Sequence, residues 1–557
     1  MKLLGLLLAF ALSASLHLMA ADEPPRGSLK GRVFTADGKV AELVSVRLKE
    51  TAIGTLTDAE GRFMLKAPAG EYTLVASIVG YQPQERPVRV ESGVTTTLEP
   101  VQLLETSAQL GEIIVKSGRE RSYAATATAL ATRLNTPLRD VPQSVQVLTR
   151  QILLDRNVQT VGEAVKMMAG VNAFSSSQYS DYVLRGFRST PGNFAYNGIR
   201  GDFYQFDQGA LTYNLERIEA IKGPASVLFS AGNPGGVINH VTKRAQADSR
   251  YEAEFTVGSF NQYRTMLDAT GAVSANKKLL YRAVFGYENT GQLDKRQKIE
   301  NVFFAPQLQY NFSEKTTLTY ELNFSYDHRR MGFQRGVPAL NLGEGRWQLD
   351  RFPADFSMID PRGYSRTRAV SNQVMFGHAF APNLKLNVLL RSMHTRQRQF
   401  DVSPGDFSVG AVNDSITMSN NFWRPDYGAY QSTTFLNWDF QMGRVKHQTV
   451  FGVDGTLDGR TIHGYASLAT QRVYLPNPDF SWATYDDSPT AIQAAIDAGE
   501  YVAGWTERTT LVAAYFQDQI TISEKLKALV GGRIEQHRYR NRYFDLLTRE
   551  TTSTDTL

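Results

Sequence analysis

Between Thr317 and Asp327 apolar and polar residues alternate without a slip. Leu318, Tyr320, Leu322, Phe324 and Tyr326 make one face; Thr317, Thr319, Glu321, Asn323, Ser325 and Asp327 make the other. Successive side chains of a strand point to opposite sides, so this period predicts a strand with one wholly apolar face. The asymmetry recurs in Tyr281, Ala283, Phe285 and Tyr287, in Val302, Phe304, Leu308 and Tyr310, and in Leu526, Ala528, Val530 and Ile534. Repeated strands of this kind are the pattern of a transmembrane β-barrel, apolar outward and polar inward. The connections give a second sign. Those at Ala275-Asn276-Lys277, Phe312-Ser313-Glu314, Ala381-Pro382-Asn383, Met442-Gly443-Arg444 and Ser523-Glu524-Lys525 are short, and long ones at about 329–366, 401–427 and 462–508 lie between them. Periplasmic turns and extracellular loops alternate in this way. About eleven strands can be placed in residues 250–557, which are read as a partial antiparallel barrel.

The pattern before residue 250 is different. In residues 28–104 short runs predict strands at Leu29–Phe34, Val44–Leu48, Gly61–Leu65, Tyr72–Ile78 and Val94–Val101, with turn signals at Asp37-Gly38 and Asp58-Ala59-Glu60-Gly61. A chain of this length and pattern predicts a small β-sandwich. Residues 105–136 are a linker rich in Ala, Thr and Ser, and within it Glu112-Ile113-Ile114-Val115-Lys116 is the one β-prone run. Residues 137–245 mix the periods. Val141–Leu148 reads as a strand, Gln151–Asn157 and Val161–Met168 as helices, the second stopped at Ala169-Gly170, and Tyr182–Phe187 and Tyr196–Arg200 as strands with turns. Glu216–Lys243 opens with Ile218 and Ile221 inward, breaks at Gly223-Pro224, turns through Ala225–Phe229 and Gly232–Gly236, and ends in the strand Val237–Val241. Paired glycines predict a backbone at positive φ packed closely against a neighbour. At the start of the chain, Lys2, the apolar run Leu3–Leu18 and Met19-Ala20-Ala21 predict a signal peptide over residues 1–21.

Composition removes several classes. There is no cysteine, hence no disulfide framework, thiolate metal site, catalytic Cys or lipoprotein acylation. A net charge of +5 on 557 residues gives no reason to expect nucleic acid. The 25 Tyr and 30 Phe would supply a barrel's aromatic girdles. The eight histidines, His17, His240, His328, His378, His394, His447, His463 and His537, show no metal-ligand spacing, and no nucleophile elbow or phosphate loop occurs, so neither a metal site nor an enzyme is expected.

The runs VPQSVQVLTRQIL, LRGF, NGIR, ERIEAIKGPASVL and GNPGGVINHVTK stand in that order within residues 141–243. Together they resemble the plug domain of TonB-dependent outer-membrane receptors, in the ferric-siderophore branch. Asn197, where many relatives carry Asp, and Phe229-Ser230-Ala231-Gly232 depart from the family pattern. GTLTDAEGRFMLKAPAGEYTLVASIVGY is similar to the carboxypeptidase-regulatory-like domain found ahead of such receptors. The resemblance implies twenty-two barrel strands; the polar end Thr551–Leu557 then reads as a cut inside an extracellular loop. Glu112–Lys116 looks like the TonB box, which adds a strand to the energy-coupling protein. The family implies that plug arginines Arg185 and Arg217 meet wall carboxylates, for which Glu321 and Glu535 have the inward phase; solvation in a wet lumen is the alternative. Arg188, Tyr179, Tyr182, Phe194, Tyr196, Tyr204 and Phe206, with Trp347 and Trp423 from loops, are candidates for binding a bulky, often anionic iron chelate through stacking and charge.

The expected function is import of ferric siderophores across the bacterial outer membrane, with iron only as cargo and no cofactor. The expected partners are the TonB complex, the siderophore, outer-membrane lipids and the barrel-assembly machinery. A receptor of the same fold for cobalamin, haem or an oligosaccharide, and a surface adhesion or structural β protein, stay open at this point.

Overall fold

The structure is a computed structural model. It describes residues 26–556 apart from 36–37, 39, 50, 52, 79–83, 104–122, 124–126, 129–132, 135, 174–181, 189–193, 202, 207–208, 224–227, 229–233, 293–295, 331–339, 342–346, 349–356, 358, 405–414, 475–476, 478, 484–487, 498–500, 524 and 546–550. The expected signal peptide, Glu112–Lys116 and Tyr179 lie outside the described residues. The chain forms two compact units, residues 1–109 and 110–557.

The first unit is a two-sheet sandwich. β1 (Arg26–Thr35), β4 (Arg62–Pro68), β7 (Thr95–Thr97) and β8 (Val101–Leu103) form one sheet. β3 (Gly54–Leu56), β2 (Ser45–Leu48), β5 (Gly70–Ser77) and β6 (Gln84–Val90) form the other, in that spatial order. Inward positions alternate along the strands, and Leu29, Val33, Val46, Leu48, Phe63, Leu65, Leu74, Val88 and Leu103 meet in its core. The strand expected at Val94–Val101 is instead β7 and β8, both parallel to β1. β6 has no counterpart in the sequence reading. It carries Glu85, Arg86, Pro87 and Arg89, the charged, proline-bearing sequence of an edge strand.

In the second unit an inner domain comes first. The short pair β9 (Ala127–Thr128) and β10 (Thr136–Pro137) precedes a five-stranded sheet ordered β11 (Ser144–Thr149), β17 (Leu215–Lys222), β18 (Gly236–Thr242), β15 (Phe194–Tyr196) and β16 (Ile199–Arg200). β12 (Val171–Ala173), β13 (Tyr182–Leu184) and β14 (Phe187–Arg188) form a second small sheet. The helices run Arg150–Asp155 and Val161–Val165, the latter opened by a capping box in which Thr160 Oγ1 accepts from the Glu163 amide and Glu163 Oε2 accepts from the Thr160 amide. The paired glycines act as expected. Gly236 has φ +129°, and a Cβ at Gly235 or Gly236 would collide with the carbonyl oxygen of Leu184 or Ile221.

Twelve antiparallel strands form the wall: β19 (Arg250–Gly258), β20 (Gln262–Ala272), β21 (Leu279–Gly291), β22 (Lys298–Ser313), β23 (Thr316–Arg330), β26 (Tyr364–Ala381), β27 (Leu384–Pro404), β28 (Ser415–Met442), β29 (Val445–Tyr474), β30 (Tyr501–Thr521), β31 (Lys527–Asp545) and β32 (Thr551–Thr556). The pair β24 (Leu340–Asn341) and β25 (Trp347–Gln348) lies in the connection after β23. All five expected short turns fall between wall strands. The long connections are shorter than expected, because β27 to β30 continue through much of 401–427 and 462–508.

Burial across the wall is the inverse of that in a water-soluble sheet. On β23 the polar residues Thr319, Glu321, Asn323, Ser325, Asp327 and Arg329 are buried, while apolar Tyr320 between them is 41% exposed. Phe285, Phe304, Leu308, Leu390, Phe451, Val512, Phe516, Val530 and Ile534 are likewise exposed. So large an apolar surface is stable only against lipid. Near the short turns, rings cluster at the strand ends: Tyr310 with Phe312 at 4.7 Å, His378 with Phe380 at 4.7 Å, and Trp438 with Phe440 at 4.5 Å. This is the aromatic belt of one membrane interface.

Candidate functional site: the seam between inner domain and wall

The buried polar face of the wall is filled by the inner domain. Thr242 Oγ1 donates to Glu321 Oε2 at 2.8 Å, Asn214 Nδ2 to Asn323 Oδ1 at 2.6 Å, and Asn197 Nδ2 to Gln373 Oε1 at 3.2 Å. Arg391 Nη2 donates to the carbonyls of Arg200 and Gly201 at 2.7 and 3.1 Å. Contacts on β23, β26 and β27, with others on β20 to β22 and β28 to β31, mean that the wall curves round the domain. Where the seam is apolar it rests on small residues: the plane of Tyr213 covers Gly286, where a Cβ would lie 2.7 Å from the ring.

Two charged knots fasten the seam. In the first, Asp268 on β20 accepts from Arg282 Nε and Nη2 at 2.9 and 2.7 Å and lies 2.8 Å from Lys243 Nζ. Arg150 at the head of its helix lies 3.5 Å from Asp268 and 2.8 Å from Glu252. Burial, with Arg150 and Arg282 close by, pushes the Lys243 ammonium down to about 7.

The second knot is Arg133, in the stretch read from sequence as linker. It is buried at φ +55°. Its guanidinium donates to the Tyr515 hydroxyl and, at 3.1 Å, to the Gly198 carbonyl; it lies 3.5 Å from Asp454 and over the rings of Phe435 and Tyr515. Its own carbonyl accepts from Asn437 Nδ2 at 2.7 Å. Arg533 lies 2.6 Å from the same Asp454, so Arg133→Ala would not strand that carboxylate. The variant should lose about 2 kcal/mol of local hold. Amide exchange around Leu134–Val141 should rise about thirtyfold while β17 and β18 keep their protection. Equal loosening of those strands would make Arg133 part of the domain core rather than a tether.

The residues expected to bridge seam or ligand divide. Arg217 does not reach the wall: its Nε donates to Glu219 Oε1 at 2.7 Å within β17. The wall's Glu321 meets Thr242, with Arg244 3.6 Å away, in place of the expected arginines. Glu535 accepts from Arg533 at 2.8 Å on its own strand, and Arg185 is exposed at φ +51° with no ion pair among the described residues. The reason is local. Arg217 and Glu219 are two apart on one strand and share a face, and Arg185 sits in the exposed turn between β13 and β14, its side chain near Gly170 and Gly223. Tyr182, Phe194, Tyr196 and Tyr204 are core residues, with Tyr182 and Phe194 edge to face at 4.7 Å. They hold the domain together instead of presenting rings to a ligand. Arg188 is exposed, Phe206 half-buried at φ +61°, and Trp423 half-buried 5.5 Å from Trp505; Trp347 lies in β25.

Residues 137–237 match the model of the TonB-dependent receptor plug domain, and residues 29–115 that of the CarboxypepD_reg-like domain. The inner domain is a TonB-dependent receptor plug. Similar proteins include the metal-pseudopaline receptor of Pseudomonas aeruginosa, 27% identical over 78% of this chain and 60% of that protein. The ferrioxamine receptor of Yersinia enterocolitica is 29% identical over 62% of this chain and 49% of its own length. Among solved structures, the ferripyoverdine receptor of the outer membrane of Pseudomonas aeruginosa aligns with a TM-score of 0.65 at 18% identity, over 82% of this chain and 58% of that one; the likeness shows the fold. The chain thus spans about half to three fifths of the length of these relatives.

At the long-loop end, β22, β23, β26 and β27 carry a buried polar network that the alternation on β23 foreshadowed and the loop reading of 401–427 hid. Asn301 Nδ2 donates to Asp327 at 3.3 Å, Arg329 Nη2 to Asp327 at 2.9 Å, Gln397 Nε2 to Ser365 at 2.9 Å and Gln399 Nε2 to Asp401 at 3.2 Å. Inside the plug, His240 is fully buried, with Phe194 and Tyr196 about it at 6.0 and 5.9 Å, and neither ring nitrogen has a hydrogen-bond partner among the described residues. Burial, reinforced by Arg391, pushes it down to about 4. Between that value and about 6.5 the unfolded chain holds more protons. Stability is therefore full above about pH 6.5 and falls by about 3 kcal/mol as pH drops towards 4. His240→Gln should flatten this slope in unfolding titrations of the plug; an unchanged slope would place the acid sensitivity elsewhere.

Proposed function

We propose that the protein is an outer-membrane receptor and transporter that binds a ferric siderophore at the long-loop end and imports it with energy from the TonB complex. The observation that carries this is the inverted wall, apolar outward and polar inward, curved round a plug and joined to it by hydrogen bonds and ion pairs. The polar part of that seam can be exchanged bond for bond with water. The sandwich and the plug's short-turn side face the periplasm. Residues 1–21 act as the signal peptide and Glu112–Lys116 as the coupling segment. Cargo is a metal chelate: the relatives named above are receptors for pseudopaline-bound metal, ferrioxamine and ferripyoverdine. Arg188, Phe206 and Trp423, exposed or half-buried, offer charge and stacking to such a ligand. Titration of the purified protein with single ferric siderophores should quench tryptophan fluorescence saturably, and Trp423→Phe should remove most of the signal. Saturable binding of cobalamin, haem or an oligosaccharide, with none of any iron chelate, would move the assignment to those cargoes.

A further inference from the structure

The outer face of the sheet β4–β1–β7 carries cations, and none of its strand residues is acidic. Lys30 and Arg32 on β1 and Arg62 and Lys66 on β4 are exposed. The register sets Arg32 opposite Arg62, Lys30 opposite Met64 and Ser28 opposite Lys66, so all four cations stand on one side of the sheet. Thr95 and Thr97 extend that side across β7. Among the described residues none of the four makes an ion pair. The other sheet balances its charges: Glu71 stands opposite Arg89, and Lys49 Nζ lies 2.7 Å from Glu85. Like charges placed directly opposite oppose folding. An Arg32–Arg62 pair without a counterion therefore points to a partner outside the sandwich.

The chain itself keeps one anionic partner within reach. The exposed apolar face of the wall binds residues 250–556 to a membrane, and residues 104–126 tether the sandwich to that unit. Fully extended, they span no more than about 80 Å, so the face samples the adjoining lipid surface at high effective concentration. A flat patch of lysine and arginine, with Met64 57% exposed at its centre, matches a plane of phosphate headgroups. We propose that this face docks on anionic phospholipid headgroups of the membrane that holds the wall. The inference rests on the membrane reading of the wall.

The chain has no cysteine, so a single dye can be placed by substitution. Full-length protein labelled at Ser28→Cys, on the basic face, or at Pro87→Cys, on the other sheet, is reconstituted in phosphatidylcholine vesicles with or without about one third phosphatidylglycerol and a headgroup-linked quencher. Quenching of the Ser28→Cys dye should be about tenfold greater in the anionic vesicles and should vanish at about 0.5 M salt. The Pro87→Cys dye should not respond. The double variant Arg62→Glu, Lys66→Glu cancels the patch while giving Arg32 an opposite charge across the strand pair, so the sandwich keeps its fold. It should quench as in neutral vesicles. Equal quenching of the Ser28→Cys dye in both vesicles, undiminished quenching in the double variant, or preference for soluble polyglutamate over vesicles would overturn the proposal. Failure to float with either vesicle would overturn the membrane reading itself, which the first three outcomes leave intact.

Discussion

Arg217→Ala should cost the plug about 3–5 kcal/mol, because it strips the cation from a carboxylate that has no solvent to fall back on. Glu219 is fully buried on β17, held by Arg217 Nε at 2.7 Å and Asn239 Nδ2 at 2.9 Å. Asn239 Oδ1 in turn accepts the Gly198 amide at 3.0 Å. The network thus joins β17 and β18 to the turn after β15. An amide donor cannot neutralise the charge left behind, so the cost follows from burial, not from the loss of one contact. Arg217→Ala with Glu219→Gln removes both charges and should recover most of the loss. The measurement is amide exchange of β17 and β18 in the folded protein, with wall strands as internal reference. The picture of a self-contained plug network fails if exchange is unchanged, or if the double variant is no better than the single one. A tie to the wall would behave differently, since Glu219→Gln could not rescue it.

That contrast marks how far the residues could be read in advance. The wall strands were legible because lipid and lumen impose opposite demands on alternate residues, and Leu318 to Asp327 obey both without exception. The glycine pair was legible because Gly235 and Gly236 leave no room for a Cβ. Strand ends beyond the lipid were not. β28 and β29 run on through residues read as loops, where a backbone ladder suffices and no hydropathy pattern is imposed. Side-chain partners were legible only when local. The Arg217–Glu219 pair could have been found from its spacing of two, which puts opposite charges on one face of a strand. Arg133 gave no signal, since Tyr515 and Asp454 lie hundreds of residues away and its neighbours look like linker. The aromatic ligand candidates erred for a related reason: Tyr182, Phe194 and Tyr196 satisfy the rule for stacking surfaces and for core packing alike, and only burial decides between them.

The largest functional effect should come from Ile114→Pro, which should leave ferric-siderophore binding at the cell surface intact and abolish accumulation inside. The segment Glu112–Lys116 is proposed to pair edge-on with the coupling protein, where main-chain hydrogen bonds supply the affinity. Ile114→Ala keeps the amide and should be mild. Proline removes the donor and fixes φ near −65°, away from strand values, so pairing should fail. Alternate amides of a strand face the partner. Ile113→Pro is therefore the companion variant, and one of the two must strike a bonded amide. Force applied at this segment reaches the folded unit through residues 117–126, which extend to about 35 Å at most, meets the β9–β10 pair and then the first buried anchor at Arg133. Binding survives in this scheme because the ligand is proposed to bind at the long-loop end, opposite the short-turn end where Arg133 and Asp140 meet the wall. Labelled iron complex bound at low temperature, followed by its uptake on warming, separates the two steps. Wild-type uptake by both proline variants would place the coupling segment elsewhere in the linker. Loss of binding together with uptake would mean that the proline had damaged folding instead of coupling.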